Sequence, residues 1–92
     1  MGNGVPWHVQ LEAGAADDLR QLGAPDRQRV LRYLRTRLAT PDDPRRFGKA
    51  LTGDLKDLWR YRIGDVRVIA SIKDETVTVL VLRVAHRREV YR

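Results

Sequence analysis

Four segments have the apolar and polar pattern of β-strands, and they span Trp7–Leu11, Leu58–Ile63, Val66–Lys73 and Thr76 to about Ala85. The last segment is apolar at nearly every position from Val77 to Leu82, which is typical of a strand covered on both faces. We therefore expect this strand to lie inside the sheet rather than at its edge.

The pattern between the first two strands is that of two helices. Ala13–Leu22 is helix-prone and Gly23 ends it, while Pro25 suits the first turn of a second helix that continues to about Ala39. The apolar stripe of the second helix consists of Val30, Leu31, Leu34 and Leu38. These positions predict a helical hairpin that packs its apolar side on the sheet.

Glycine and proline mark the connections between the elements. Gly64-Asp65 has the composition of a two-residue hairpin turn, in which Gly64 supplies the positive φ of type II′. Asp74-Glu75 is a weaker candidate for the next turn. Thr40–Asp57 is a long connection with two prolines and two glycines, and long loops beside a packed scaffold often carry function.

The predicted fold class is α+β, with the element order β-α-α-β-β-β. An N-terminal strand is followed by a helical hairpin and then by a three-stranded antiparallel meander, and the hairpin packs on one face of an antiparallel sheet. The length suits one domain over residues 1–92, in which residues 1–5 form a disordered lead-in.

Strand periodicity places three arginines on one face of the predicted sheet. Side chains at i and i+2 share a face, so Arg60 and Arg62 project together. If Gly64-Asp65 forms the turn, Arg62 lies opposite Arg67, and two like charges directly opposite destabilise a hairpin. No carboxylate in these strands shares that face, which favours an anion-binding site. The alternative is that an Asp or Glu from the loop or the C-terminal tail neutralises the arginines.

The charge of the chain agrees with an anionic partner. The net charge is +6 at pH 7 and the pI is near 10.5, and a basic surface attracts polyanions. Arginine greatly outnumbers lysine and contacts phosphate in a bidentate way, although a GC-rich coding bias would produce the same excess. A basic protein without such a partner would have the same charge. The chain lacks cysteine and any apolar run of membrane-spanning length, so we expect a cytoplasmic protein without membrane contact.

The residue types limit the chemistry that a basic site could perform. The sequence has no paired carboxylate cluster, no metal-ligand spacing and no phosphate-cradling glycine loop, so we expect neither a metal nor a cofactor. RNA carries its own nucleophile, the 2′-hydroxyl, which an enzyme can align with the phosphodiester. Arginines can stabilise the charge that develops, and a Tyr or His can move the protons. The residues therefore fit a metal-independent ribonuclease.

The C-terminal part of the chain adds further candidates. Strict alternation places His86, rather than Arg87, on the face of Arg62 and Arg67, but we expect the strand to end near Ala85, so alternation does not settle this point. A histidine among arginines just past a strand end is a candidate for proton transfer. Four more basic residues are candidates for RNA contact, and they are Lys49, Lys56, Arg83 and Arg88.

Three stretches carry a family resemblance, and they are Gly48–Gly53, Leu58–Ile69 and Val84–Tyr91. Their specific parts are the Gly-Asp-x-Arg turn that ends at Arg67, and the His86-Arg87 pair followed by Val90-Tyr91. These stretches resemble the RelE/ParE toxin superfamily of type II toxin–antitoxin systems, and the RelE-like mRNA interferase branch in particular. The resemblance spans most of the chain and includes the order of the elements.

The resemblance implies a ribosome-dependent endoribonuclease that cleaves mRNA in the ribosomal A site and so inhibits translation. By position, the catalytic residues of the family fall on Arg60, Arg62, Arg67, Arg87 and Tyr91. Arg67 and Arg87 would stabilise the transition state, Tyr91 would stack on a base or assist proton transfer, and His86 would add an acid or base. A cognate antitoxin protein is the implied partner.

One departure from the family pattern and two other functions stay open. Some members have lysines where Arg60 and Arg62 stand, and arginine is a poor general base because it stays protonated. The same scaffold serves ParE-like toxins that inhibit DNA gyrase by protein contact, and it would also serve a relative that binds RNA without cutting it. The retained Arg67, Arg87 and Tyr91 favour the ribonuclease.

Overall fold

The computed structural model describes residues 4–86. Its strands are β1 (His8–Leu11), β2 (Lys49–Ala50), β3 (Leu58–Ile63), β4 (Val66–Lys73) and β5 (Thr78–His86). Its α-helices are α1 (Ala13–Gln21) and α2 (Ala24–Tyr33). Within the described range the strands form one five-stranded sheet in the order β1-β5-β4-β3-β2. The predicted α+β class and the helical hairpin are therefore confirmed.

The second helix reaches as far as the sequence predicts, but its last turn is not α-helical. After α2 the chain continues as a π-helical segment, Leu34–Leu38, in which the Ala39 N–H donates to the Leu34 carbonyl at 2.9 Å. Leu34 and Leu38 are both buried in the core. A π turn of this kind is often found at functional sites.

The core lies between the helices and one face of the sheet. It contains Ala15, Leu19, Val30, Leu34, Leu38, Tyr61, Ile63, Val66, Val68, Ala70, Val79, Val81 and Val84. Tyr61 is fully buried, and its hydroxyl donates to the Pro44 carbonyl at 2.8 Å. Burial raises the pKa of Tyr61, so this phenol stays protonated. The hydrogen bond from Tyr61 to Pro44 connects β3 to the loop that precedes β2.

The sheet differs from the predicted antiparallel arrangement in two places. β1 pairs with β5 in parallel, with His8 opposite Thr78 and Leu11 opposite Val81. The predicted connection Thr40–Asp57 contains β2, which pairs antiparallel with β3. Two residues are too few to show a periodic pattern, and parallel pairing depends on residues far apart in the chain. Neither feature leaves a local trace in the sequence.

The connection between β4 and β5 is longer than the predicted two-residue turn Asp74-Glu75. A 3-10 turn over Asp74–Thr76 is followed by Val77 in the left-handed region at φ 50°, and β5 begins at Thr78. A β-branched residue at positive φ is unusual, which explains why the sequence pointed to a shorter turn.

The predicted interior place of β5 is confirmed, since it pairs with β1 on one side and with β4 on the other. The expectation that both of its faces are covered is wrong. Val79 and Val81 are fully buried under the helices, whereas Leu80 and Leu82 on this strand are only half-buried.

An extra residue interrupts the pairing of β5 with β4. Ala70 lies opposite Val81, but the preceding residue of β4, Ile69, lies opposite Arg83. Leu82 is therefore the extra residue of a β-bulge. Beyond it, residues of β5 face the side opposite to the one that strict alternation predicts.

The two glycines Gly48 and Gly14 give a test of the packing around Tyr61. A Cβ at Gly48 would lie 2.9 Å from Cε1 of Tyr61, whereas a Cβ at Gly14 would lie 3.7 Å from the Leu82 carbonyl oxygen. We expect Gly48→Ala to lower the free energy of unfolding by about 1–3 kcal/mol, because a buried ring must move. We expect Gly14→Ala in α1 to raise it by about 0.5–1 kcal/mol. Urea unfolding of the two variants measures both changes, and an unchanged midpoint for Gly48→Ala would contradict the close contact.

Candidate functional site

The hairpin of β3 and β4 has the register that the arginine face requires. Arg62 lies opposite Arg67, and Ile63 lies opposite Val66. Gly64 has φ 60°, as the predicted turn demands. Because Tyr61 and Ile63 point into the core, Arg60 and Arg62 point away from it, on the outer face of the sheet. Arg60, Arg62 and Arg67 therefore share the outer face, and we call them the arginine face.

The three arginines of this face differ in their exposure and in their surroundings. Among residues 4–86, no carboxylate oxygen lies within 4 Å of Arg60 or Arg62. Arg62 is exposed, whereas Arg60 and Arg67 are half-buried, and the Nε atom of Arg67 is buried. Two guanidinium groups opposite each other on a hairpin cost stability. Such an arrangement is suited to an anionic ligand.

His86 does not lie on the arginine face, although strict alternation would place it there. It lies opposite Val66, which in turn lies opposite Ile63 of β3. Val66 and Ile63 are both buried on the core face of the sheet. The bulge at Leu82 is the physical reason, since it reverses the alternation before the end of β5. The residue of β5 opposite Arg67 is Ala85. His86 instead lines a cavity of about 350 Å³ on the helix side, together with Asp18 and Asp26.

Arg83, a predicted RNA contact, has a protein partner. Its Nε donates to Oδ2 of Asp18 at 2.9 Å, and the Val84 N–H donates to the same oxygen at 2.9 Å. This hydrogen bond raises the pKa of Arg83. β1 pairs with β5 only as far as Val81. Beyond that point, Asp18 of α1 accepts a hydrogen bond from the backbone of β5. The carboxylate therefore secures the carboxyl-terminal half of β5, a role that the sequence did not indicate.

The other predicted site residues fall into three groups. Lys49 lies opposite Arg60 and extends the arginine face onto β2. Lys56 is exposed in the loop before β3, at the opposite end of the hairpin from Gly64. Three predicted site residues lie outside the described residues, and they are Arg87, Arg88 and Tyr91.

A cleft beside the arginine face contains a residue that the sequence analysis missed. It has a volume of about 270 Å³ and is lined by Phe47, Lys49, Arg60 and Arg62. Phe47 ends the 3-10 turn Pro44–Phe47, and the run of basic and aromatic residues around it in a long loop is the pattern that could have indicated it.

Two general properties complete the description of residues 4–86. None of the helices described there combines the length and the apolar character that a membrane-spanning segment needs. The same range has no group of three or more His, Asp or Glu side chains that could hold a metal ion.

Arg62 gives a test of the electrostatic cost of the arginine face. We expect Arg62→Thr to raise the free energy of unfolding by about 0.2–1 kcal/mol, because it removes a like charge opposite Arg67 and adds a good strand former. The gain should shrink at high salt, where charges are screened. Lys73→Thr is the matched control, since Lys73 is an exposed strand cation opposite Thr78. A gain of equal size in both variants would show that Arg62 and Arg67 do not repel each other.

Asp18 gives a second test. Its side chain is only 18% exposed, so Asp18→Ala leaves the Val84 N–H without its acceptor and should cost about 1–3 kcal/mol. Amide hydrogen exchange at Val84 should become faster. Asp17→Ala is the matched control, because Asp17 is exposed and pairs with Arg20 of the same helix. Unchanged exchange at Val84 in Asp18→Ala would refute the proposed support of β5.

The chain matches a known toxin family over almost all of its length. Residues 9–91 match the family model described as the ParE toxin of the type II toxin–antitoxin system parDE. Toxin RelE of Mycobacterium tuberculosis (strain ATCC 25618 / H37Rv) is 34% identical over 92 residues, which are 100% of this chain and 93% of the relative. Toxin RelG of the same strain is 33% identical over 88 residues, which are 96% of this chain and 99% of the relative.

Solved structures of toxins have the same fold. In the toxin–antitoxin complex RelBE2 from Mycobacterium tuberculosis, the matching chain has a TM-score of 0.84 and 33% identity, and the match covers 92% of this chain and 95% of that chain. The matching chain of the archaeal RelE–RelB complex from Pyrococcus horikoshii OT3 has a TM-score of 0.69 and 28% identity, and the match covers 91% of this chain and 98% of that chain. The isolated E. coli RelE toxin has a TM-score of 0.67 and 26% identity, and the match covers 92% of this chain and 90% of that chain. Sequence and fold agree, and the chain belongs to the RelE/ParE superfamily of toxins of type II toxin–antitoxin systems.

Proposed function

We propose that this toxin is a metal-independent endoribonuclease that cleaves messenger RNA in the A site of the ribosome and so inhibits translation. The observation that supports the proposal most strongly is the pair Arg62 and Arg67, which lie opposite each other across a hairpin. Among residues 4–86, no carboxylate lies within 4 Å of Arg62. Two like charges directly opposite each other repel, whereas a phosphodiester would be held by both.

The proposed reaction uses the nucleophile of the substrate. The 2′-hydroxyl attacks the adjacent phosphorus, the bond to the 5′-oxygen of the next nucleotide breaks, and a 2′,3′-cyclic phosphate forms. The negative charge on the phosphorane oxygens grows in the transition state, and Arg67, together with Arg87 and with Arg60 and Arg62, stabilises it. The toxin needs to align the RNA for this attack, since in-line geometry alone lowers the barrier considerably.

Proton transfer requires a group other than arginine, and we assign it to Tyr91. His86 lies on the core side of β5, away from the arginine face. Burial raises the pKa of both Tyr33 and Tyr61, which keeps their hydroxyls protonated, and Tyr61 is engaged with Pro44. Tyr91 remains from the candidates that the family resemblance implies. Loss of its hydroxyl should therefore lower the rate of cleavage more than it lowers RNA binding.

We propose a cognate antitoxin and the ribosome with its message as the partners of this cytoplasmic toxin. The matching chain from Mycobacterium tuberculosis was solved in a toxin–antitoxin complex, and the one from Pyrococcus horikoshii was solved in a RelE–RelB complex. An antitoxin that covers or distorts the arginine face would keep RNA away from it. The net charge of +6 favours encounter with the ribosome, whose surface is RNA-rich.

The experiment is a cell-free translation reaction with the purified toxin, followed by primer extension along the message, with naked message as the control. We expect cuts only in the ribosome-bound message. Arg67→Ala and Arg87→Ala should slow cleavage about 100-fold or more, as does the loss of other groups that stabilise a developing negative charge. Tyr91→Phe should also slow it, and Arg67→Ala should abolish growth arrest while antitoxin binding persists.

Arg20→Ala is the matched control, because Arg20 is an exposed arginine that pairs with Asp17 on α1. It should cleave like the wild type. Full growth arrest by Arg67→Ala would refute the assigned site. An intact message would refute the ribonuclease and lead to a DNA gyrase supercoiling assay, while RNA binding without cleavage would identify a non-catalytic relative.

A further inference from the structure

We propose that the cleft beside the arginine face binds one nucleotide of the RNA strand, with Phe47 contacting its base and the cations of the cleft contacting its phosphate. The inference deepens the proposed function and rests on it for the identity of the nucleic acid. It makes Phe47 a substrate-positioning residue, which neither the sequence analysis nor the comparisons assign.

The position of Phe47 is fixed by the fold. The 3-10 turn Pro44–Phe47 is held at its start by the hydrogen bond from Tyr61 to Pro44 and by the Asp43 carboxylate, which accepts from the Arg45 N–H at 3.0 Å. At its end, the ring of Phe47 meets the ring of Tyr33 edge-on, with the centroids 6.5 Å apart. A ring fixed in this way loses little entropy when a ligand binds.

The cleft exists because β2 is short. β2 pairs with β3 only at Ala50–Trp59 and Lys49–Arg60, so the edge of β3 is open from Tyr61 onward. Phe47 precedes β2 and lines the cleft together with Arg60 and Arg62. A segment of single-stranded RNA that contacts the arginine face can therefore continue over the edge of the sheet into the cleft.

Five cations lie close to the ring or line the cleft with it. The guanidinium carbons of Arg46 and Arg37 lie 5.0 and 5.7 Å from its centroid, and Lys49, Arg60 and Arg62 line the cleft with it. Arg46 has Asp42 at 3.1 Å, but among residues 4–86 no carboxylate lies within 4 Å of the other four. The π-helical segment is the element that presents Arg37.

An aromatic ring among cations matches the chemistry of a nucleotide. RNA bases stack on aromatic rings and on arginine guanidinium planes, and the backbone phosphates take the positive charges. An acidic protein segment would satisfy the charges, but it would not require the ring. The dependence of binding on the ring therefore separates the two kinds of ligand.

The test is a titration of the full-length, ¹⁵N-labelled toxin with a short single-stranded RNA whose 2′-hydroxyls are methylated, so that it cannot be cleaved. We expect chemical-shift changes at Phe47, Gly48 and Lys49 as well as on the arginine face. Phe47→Leu should raise the Kd about tenfold, the effect of losing one base–aromatic contact. Phe47→Tyr keeps a ring and should bind like the wild type.

Trp59→Leu is the matched control. Trp59 is also half-buried, and the guanidinium carbon of Arg45 lies 6.0 Å from its ring centroid. Unlike Phe47, it does not line the cleft. It should change the Kd less than twofold, and thermal unfolding of each variant checks that it is folded. The proposal is overturned if shifts at residues 47–49 are absent, if Phe47→Leu binds like the wild type, or if Trp59→Leu weakens binding equally.

Two further outcomes separate this proposal from the proposed function. Ring-dependent binding of RNA by a toxin that leaves ribosome-bound message intact would support the cleft and refute the ribonuclease. If the toxin cleaves the message but Phe47→Leu binds RNA with the same Kd as the wild type, the ribonuclease is supported and the proposed role of the cleft is refuted. A polyglutamate peptide that binds in a ring-dependent way and displaces the RNA would assign the cleft to a protein partner and overturn the proposal.

Discussion

The register of the hairpin formed by β3 and β4 is the constraint on which both the core and the site depend. With Gly64 in the turn, Ile63 lies opposite Val66 and Arg62 lies opposite Arg67. Because side chains alternate with period two, a slip by one residue would bring the arginines under the helices and expose the valines. The apolar residues of this hairpin thus hold the arginines in place. The burial of these apolar residues offsets the repulsion between Arg62 and Arg67.

The two faces of the sheet differ in what they contribute to stability. The helix side carries the core and the hydrogen bond of Tyr61, and Asp18 there secures β5. The other side carries like charges in close proximity, an arrangement that opposes folding. Local rules of stability are commonly broken at functional sites, and the break is confined here to the face without helices.

The features that the sequence predicts are those that depend on neighbouring residues. Alternation and the turn chemistry of Gly64 suffice for the opposition of Arg62 and Arg67. The face of His86 could not be predicted, because one extra residue at Leu82 changes it and the bulge forms only against β4. The support of β5 by Asp18 and the position of the Phe47 ring likewise depend on contacts between distant segments, and such contacts have no periodicity along the chain.

The parallel pairing of β1 with β5 has a consequence for the order in which this toxin folds during synthesis. The pair joins residues near position 10 to residues near position 80, so it forms only after nearly all of the described chain has been made. The hairpin of β3 and β4 is local and can form earlier. A nascent toxin would therefore expose its basic hairpin while the sheet is still incomplete. The sheet that supports the arginine face can therefore be completed only after β5 has been synthesised.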